Sequence, residues 1–123
     1  DNVIVNEIAP RPHNSGHTTI EGNYSSQFAE HVRSVLGWPG GSIACRKPAV
    51  MINLLGEDNF QGEVVYQGLE KVLGMPEVYI HLYGKTYTKP FRKMGHVTIL
   101  DDNLSVARER AELVKSILKV VSK

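Results

Sequence analysis

Hydrophobic positions along the chain switch between a period of two and a period near 3.6. Val3 and Val5 alternate with Ile4, Asn6 and Ile8, which leaves apolar residues on both faces. Residues 2–9 therefore predict a buried strand that carries Asn6 and Glu7 to its far end, pointing in opposite directions. Pro10 and Pro12 cannot donate to a ladder and end it, opening a polar loop through Arg11, His13, Asn14 and His17. Phe28, Val32, Val35 and Leu36 recur at helical spacing, with Ser25 or Ser26 available as the cap and Gly37 as the stop. Residues 38–48 are rich in Gly and Pro and predict a linker between two lobes.

Beyond the linker, residues 49–55 predict a strand that stops at Gly56. Val64, Val65, Leu69, Val72 and Leu73 suggest a short helix, ended by Gly74 and Pro76. Val78, Ile80 and Leu82 alternate with Tyr79, His81 and Tyr83, a strand signal; residues 84–90 turn the chain and residues 93–100 return it as another strand. Leu104, Ala107, Ala111, Val114, Leu118 and Val121 follow a three/four spacing, so the tail predicts an amphipathic helix. The class is α+β.

With 123 residues, 41% hydrophobic and 22% charged, the chain is ordinary for a globular domain and can build one core without disulfides or metals. Fourteen basic against thirteen acidic residues give a net charge of +1, so no global field points to nucleic acid or a membrane surface. The apolar runs are far too short to span a bilayer. Cys45 is the only cysteine, which excludes an internal disulfide or a multi-cysteine zinc site and fits a reducing cytoplasm. The chain starts at Asp1 directly on a strand pattern, with no signal-peptide layout, and is expected to be a piece of a longer one.

Two constellations could carry chemistry. Asn6-Glu7 at a strand end places a hard carboxylate where Mg²⁺ could share it with nucleotide phosphates, and Arg11 could clamp an oxyanion bidentately. Equally, Glu7 could pair with Arg11 or a lysine in a merely polar loop. His13 and His17 are spaced like zinc ligands, but Pro12 and Gly16 break a helix there and no third ligand is near in sequence. His31 and His81 lie within regular elements and read as structural. Lys85, Lys89, Arg92 and Lys93 are four cations in a stretch with no acid between Glu77 and Asp101. Such a loop is either a phosphate cradle, with Gly84 allowing close backbone approach, or a solvated positive turn. No P-loop pattern is present, Cys45 reads as incidental, and Tyr79, Tyr83 and Tyr87 read as packing more than base stacking.

The run Asn6-Glu7-Ile8-Ala9-Pro10-Arg11-Pro12-His13-Asn14-Ser15-Gly16-His17, with Ser26-Gln27-Phe28 and His31, closely resembles the 5-(carboxyamino)imidazole ribonucleotide synthase family. This is the ATPase subunit of phosphoribosylaminoimidazole carboxylase, an ATP-grasp ligase of purine synthesis. Met51-Ile52-Asn53-Leu54-Leu55-Gly56, Leu82-Tyr83-Gly84-Lys85 and Arg92-Lys93-Met94-Gly95-His96 match the same family in the same order. The resemblance covers nearly the whole chain and the C-terminal third of that enzyme. It implies that residues 1–44 end an ATP-grasp domain and residues 45–123 form a small barrel-sandwich-hybrid-like domain, a rudiment single hybrid motif. It implies ATP and Mg²⁺ as cofactors, 5-aminoimidazole ribonucleotide and bicarbonate as substrates, a cytoplasmic homodimer, and no nucleic-acid or membrane partner. Asn6 and Glu7 would serve the ATP site, with Glu7 as the metal ligand. Arg11 would stabilise carboxyphosphate, and His13 and Asn14 would line the bicarbonate and imidazole pocket. Lys85 and Arg92 would hold the ribonucleotide 5′-phosphate. Ala9 stands where many ATP-grasp enzymes have Asn, and Phe91 where relatives often have Gly or Asn. The alternative is a non-catalytic phosphate-ester-binding module built on the 85–93 loop.

Overall fold

A computed structural model describes residues 3–123. In chain order its regular elements are a 3-10 helix at Asn14–Thr18, α1 (Thr19–Gly22), α2 (Gln27–Leu36), β1 (Ala49–Leu55), β2 (Gly62–Gln67), α3 (Leu69–Leu73), β3 (Val78–Leu82), β4 (Tyr87–Thr88), β5 (Lys93–Leu100), α4 (Leu104–Ile117) and β6 (Lys119–Ser122). They form two antiparallel three-stranded sheets, ordered β1-β5-β3 and β4-β2-β6. A bridge between Gly56 and Val120 and a hydrogen bond from Glu57 N–H to the Val120 carbonyl at 2.9 Å join them. No helix among the described residues is long and apolar enough to cross a membrane.

The first sheet has one wholly apolar face and one that carries its polar side chains beside Met51 and Leu100, and alternation separates them. Leu54, Val97 and Ile99, with Val50, Ile52, Val78 and Ile80 packed around them, face the core together with Ala111 and Val114 of α4. Asn53, His96 and His81 are register partners across the three strands and share the opposite face. A β-bulge shifts the register between Leu54 and Leu55, so that Leu54 pairs with Gly95 and Leu55 with Lys93. The extra residue, Met94, thereby joins the core with Val97 and Ile99 instead of the polar face. The helical turns of residues 14–22 cover that polar face, so β5 is buried on both sides from Met94 to Leu100.

Several expectations stand as read, among them β1, β3, β5 and the cap and stop of α2. Ser26 Oγ accepts from Ala29 N–H at 3.1 Å, and Gly37 ends the helix at φ 65°. Others need correction. Residues 3–9 form no strand: Val3, Ile4, Val5 and Ile8 are 83–97% exposed, because no described strand offers them a ladder or a covering layer. Asn2 lies outside the described residues. Part of the 11–17 loop is a 3-10 helix. Val64 and Val65 belong to strand β2, not a helix, because β6 pairs with them through Ser122 and Val121. Gly68 at φ 77° separates that strand from α3. The tail helix ends at Ile117; Leu118 is extended, and Val121 lies in β6. Residues 38–48 are tied back by Gly41 N–H to Glu30, Asn23 Nδ2 to the Ile43 carbonyl at 2.7 Å, and Arg46 N–H to the Gly22 carbonyl at 2.7 Å.

Gly68 is held by its left-handed φ and by the Ile117 carbonyl oxygen, 2.3 Å from where a Cβ would stand. Gly68→Ala is expected to lower stability by about 2–4 kcal/mol, from left-handed strain plus displaced backbone. Urea unfolding of the two proteins measures it; a change below about 0.5 kcal/mol, the range of ordinary surface substitutions, would contradict this packing.

Candidate active site

The polar loop and the cationic hairpin, far apart in sequence, meet across a cleft of about 420 Å³ lined by Arg11, Pro12, His13, Asn14, His17, Phe28, Tyr83 and Lys93. One wall is shaped by the 3-10 helix. His13 caps it, its Nδ1 accepting from Ser15 N–H at 3.4 Å, and its carbonyl accepts from Gly16 N–H at 2.8 Å. Gly16 is buried against the Gln27 side chain, which occupies the space a Cβ would need. Asn14 Nδ2 donates to Asn53 Oδ1 at 3.2 Å, pinning this wall to β1. The other wall is the β3–β5 connection. Lys85 Nζ lies 5.9 Å from the centre of the Tyr83 ring and donates to the Lys93 carbonyl at 2.6 Å, which folds it onto the rim.

Beneath the cleft three imidazoles form a column. His17 stacks on His96 with centroids 4.1 Å apart, and His96 on His81 at 4.4 Å. His17 also stacks on Phe28 at 5.4 Å. At the base His81 Nε2 meets Glu21 Oε1 at 2.6 Å, and at the side the Tyr83 hydroxyl and His96 Nδ1 share a hydrogen bond of 3.0 Å. His96 is 2% exposed, and burial, reinforced by His17 and His81, pushes its pKa down to about 4. Burial also lowers that of His17, with His81 and Lys93 adding to it. Both rings are neutral at pH 7. Burial raises the Tyr83 hydroxyl, so it stays protonated.

The sequence-derived candidates divide. Arg11, His13 and Asn14 converge on the cleft, and Lys85 sits at its rim. Arg92 is not among the lining residues; its Nη1 donates to the Tyr87 carbonyl at 3.0 Å. Asn6 and Glu7 are exposed on the extended segment, away from the lining. Their donor set, one carboxylate and one amide oxygen, suits Mg²⁺ when phosphates and water complete the shell. No cluster of three metal-ligating side chains exists among the described residues, so Asn6 and Glu7 do not by themselves make a complete site. His17 comes from the polar loop and Lys93 from the acid-free cationic run, though the sequence assigns neither a role in the site. Tyr83, which reads as packing, and Phe28, which reads as a helix position, also line the cleft, and buried His96 lies below them. A signal existed: Asn53, His81 and His96 are the polar interruptions of otherwise apolar strands.

The family model for the phosphoribosylaminoimidazole carboxylase C-terminal domain matches residues 49–110, half of the chain. The chain belongs to this family. An ATP-grasp domain model matches residues 1–28. Among curated relatives, the N5-carboxyaminoimidazole ribonucleotide synthase of Staphylococcus haemolyticus is 50% identical over 105 residues, 85% of this chain and 26% of that protein. The crystal structure of N5-carboxyaminoimidazole ribonucleotide synthetase from Thermotoga maritima superposes with a TM-score of 0.94 at 50% identity, over 99% of this chain and 34% of that one. The synthase from Aspergillus clavatus, solved with ADP and 5-aminoimidazole ribonucleotide, gives a TM-score of 0.72 at 35% identity over 86% of this chain and 28% of that one. The chain thus spans about a quarter of the length of the first curated relative. Within this carboxylase C-terminal domain family, Phe91 has a clear backbone consequence. Its φ is 60°, a left-handed conformation suited to the Gly or Asn expected there, and it is held by Phe91 N–H to the Gly56 carbonyl at 2.9 Å and Gly56 N–H to the Arg92 carbonyl at 3.0 Å.

The neutral histidines make the fold acid-sensitive. Unfolding returns His17 and His96 to an ordinary pKa near 6.5, so below that pH the unfolded chain binds protons the native one refuses. Stability present above pH 6.5 is therefore lost as pH falls toward 4, by of order 3 kcal/mol for His96 over the full range. Glu30, Glu77 and Asp101 are held down chiefly by hydrogen bonds from Ser25, Lys47 and the Asn103 N–H respectively. Their contributions are lost only below their ordinary values, about 4–4.5. Denaturant unfolding at pH 7, 6 and 5 isolates the histidines; equal stability at all three would contradict a neutral buried column.

Proposed function

We propose that this chain is the C-terminal part of an ATP-grasp ligase that converts 5-aminoimidazole ribonucleotide, bicarbonate and ATP to 5-(carboxyamino)imidazole ribonucleotide, ADP and phosphate in purine biosynthesis. The observation that carries the reading is the convergence of Arg11, His13 and Asn14, from the ATP-grasp-like segment, with Lys93, from the carboxylase-like segment, on one cleft, with Lys85 bonded to the Lys93 carbonyl beside it. On this reading residues 1–44 close the ATP-grasp domain and residues 45–123 form the small barrel-sandwich-hybrid-like domain, for which the two joined three-stranded sheets are the support. The same reading carries a cytoplasmic homodimer.

Bicarbonate oxygen takes the γ-phosphoryl group of ATP, and the amine of the ribonucleotide then attacks the carboxyl carbon of carboxyphosphate and expels phosphate. Carboxyphosphate is short-lived in water, so cations must gather around it and solvent must be kept out. Among the described residues no carboxylate lines the cleft, and Arg11 and Lys93 do. The planar Arg11 guanidinium suits a carboxyphosphate oxyanion, while His13 and Asn14 orient bicarbonate and the imidazole edge. Lys85 at the rim and Arg92 on the same hairpin hold the 5′-phosphate, which does not react. Glu7 and Asn6 would serve the nucleotide side, where Glu7 would hold Mg²⁺ and the ion would supply neutralisation of phosphate charge.

In the full-length synthase carrying this segment, Glu7→Gln is expected to reduce turnover at least a hundredfold without loss of fold, since the amide keeps the shape and drops the charge. Activity near wild type across a Mg²⁺ titration would refute the assignment. Arg92→Ala should raise the apparent KM for 5-aminoimidazole ribonucleotide about tenfold to a hundredfold, the worth of one charge-assisted phosphate contact. The KM for ATP should change much less. A rise in the ATP KM alone would place the hairpin on the wrong substrate. The 123-residue chain by itself should show no ATP-dependent carboxylation, because positioning by the missing ATP cradle supplies most of the rate.

A further inference from the structure

The two walls of the cleft are separate pieces of chain, and one residue outside the cleft touches both. His96 does not line the cleft, yet its ring lies against His17, on the wall bearing Arg11, His13 and Asn14. Its Nδ1 bonds the hydroxyl of Tyr83, on the wall bearing Lys93. His81 supports the ring from below and is itself fixed by Glu21. We propose that His96 is a positioning residue that sets the width of the cleft by clamping His17 to Tyr83.

The identity of the side chain argues for this role over packing alone. A phenylalanine would stack between His17 and His81 equally well and would avoid the buried His96 Nε2, which has no hydrogen-bond partner among the described residues and so costs stability. What an imidazole adds at this position is Nδ1, whose bond fixes the direction of the Tyr83 hydroxyl at the cleft wall. Burial keeps the ring uncharged, so it adds no repulsion beneath a cleft already lined by Arg11 and Lys93. Catalysis that depends on alignment is sensitive to displacements of about 1 Å, which is the scale on which a lost clamp would act.

The inference rests on the ligase reading, and the test separates the two. Steady-state kinetics of the full-length synthase are measured with each substrate varied, for wild type, His96→Phe, Tyr83→Phe and the double variant. His96→Phe is expected to unfold no earlier than wild type, yet to raise the KM for 5-aminoimidazole ribonucleotide about tenfold with the ATP KM within twofold. Tyr83→Phe should do the same, and the double variant should be no worse than either single one, because both remove one bond. A ribonucleotide KM within twofold of wild type in well-folded His96→Phe, or additive effects in the double variant, overturns the positioning role while leaving the ligase reading intact. Should His96→Phe not fold, an unchanged KM in Tyr83→Phe overturns it. A wild type with no ribonucleotide-dependent ATP cleavage overturns the ligase reading, and this inference with it.

Discussion

Strand β5 must be covered on both faces, and most of the molecule follows from how each face is met. On one face the answer is ordinary packing: Val97 and Ile99, joined by Met94 through the bulge, meet α4 and the neighbouring strands. On the other face His96 and Thr98 are buried beside Asn53, Met51, Tyr79 and His81 of the neighbouring strands, and the helical turns of residues 14–22 pack over that face. That cover is also the wall of the cleft. Packing of β5 and formation of the candidate site are therefore coupled, since the turns that bury His96 carry Asn14 and His17 and follow directly on Arg11 and His13.

Electrostatics follows from the same arrangement. A cleft with Arg11 and Lys93 in its lining and Lys85 beside it collects positive charge with no facing carboxylate among the described residues, which suits an anionic occupant. In the column beneath it, burial keeps His17 and His96 uncharged, and His81 bonds Glu21 at the far end. Stacked neutral rings tolerate close contact where protonated ones would repel. The cations then act outward on whatever enters the cleft.

Much of this was legible in the chain. Local rules were enough wherever an element's signal lay within its own residues: Ser26 and Gly37 bound α2 by cap and left-handed stop, alternation marks β3, and short runs bounded by turn residues mark β1 and β5. The site loop was legible through its unusual density of Arg, His and Asn after two prolines, and the hairpin through its acid-free run of cations. Arg11, His13 and Asn14 do line the cleft, whereas Arg92 bonds to the Tyr87 carbonyl beside it.

What sequence alone could not decide depended on a partner elsewhere. Val64 and Val65 fit a helix by spacing and a strand by β-branching, and β6, more than fifty residues on, settles them as strand by supplying the ladder. Residues 3–9 carry the pattern of a buried strand and stay exposed because a strand needs neighbours, which the described residues do not provide. His96 is the clearest case. Its alternation placed it on a face, but its burial, its bond to Tyr83 and its stack on His17 arise only when residues 14–22 fold over that face. Sequence determined the elements because backbone preference and periodicity are local. Tertiary structure decided burial, charge state and the cleft, because those depend on which distant residues exclude water from a given atom.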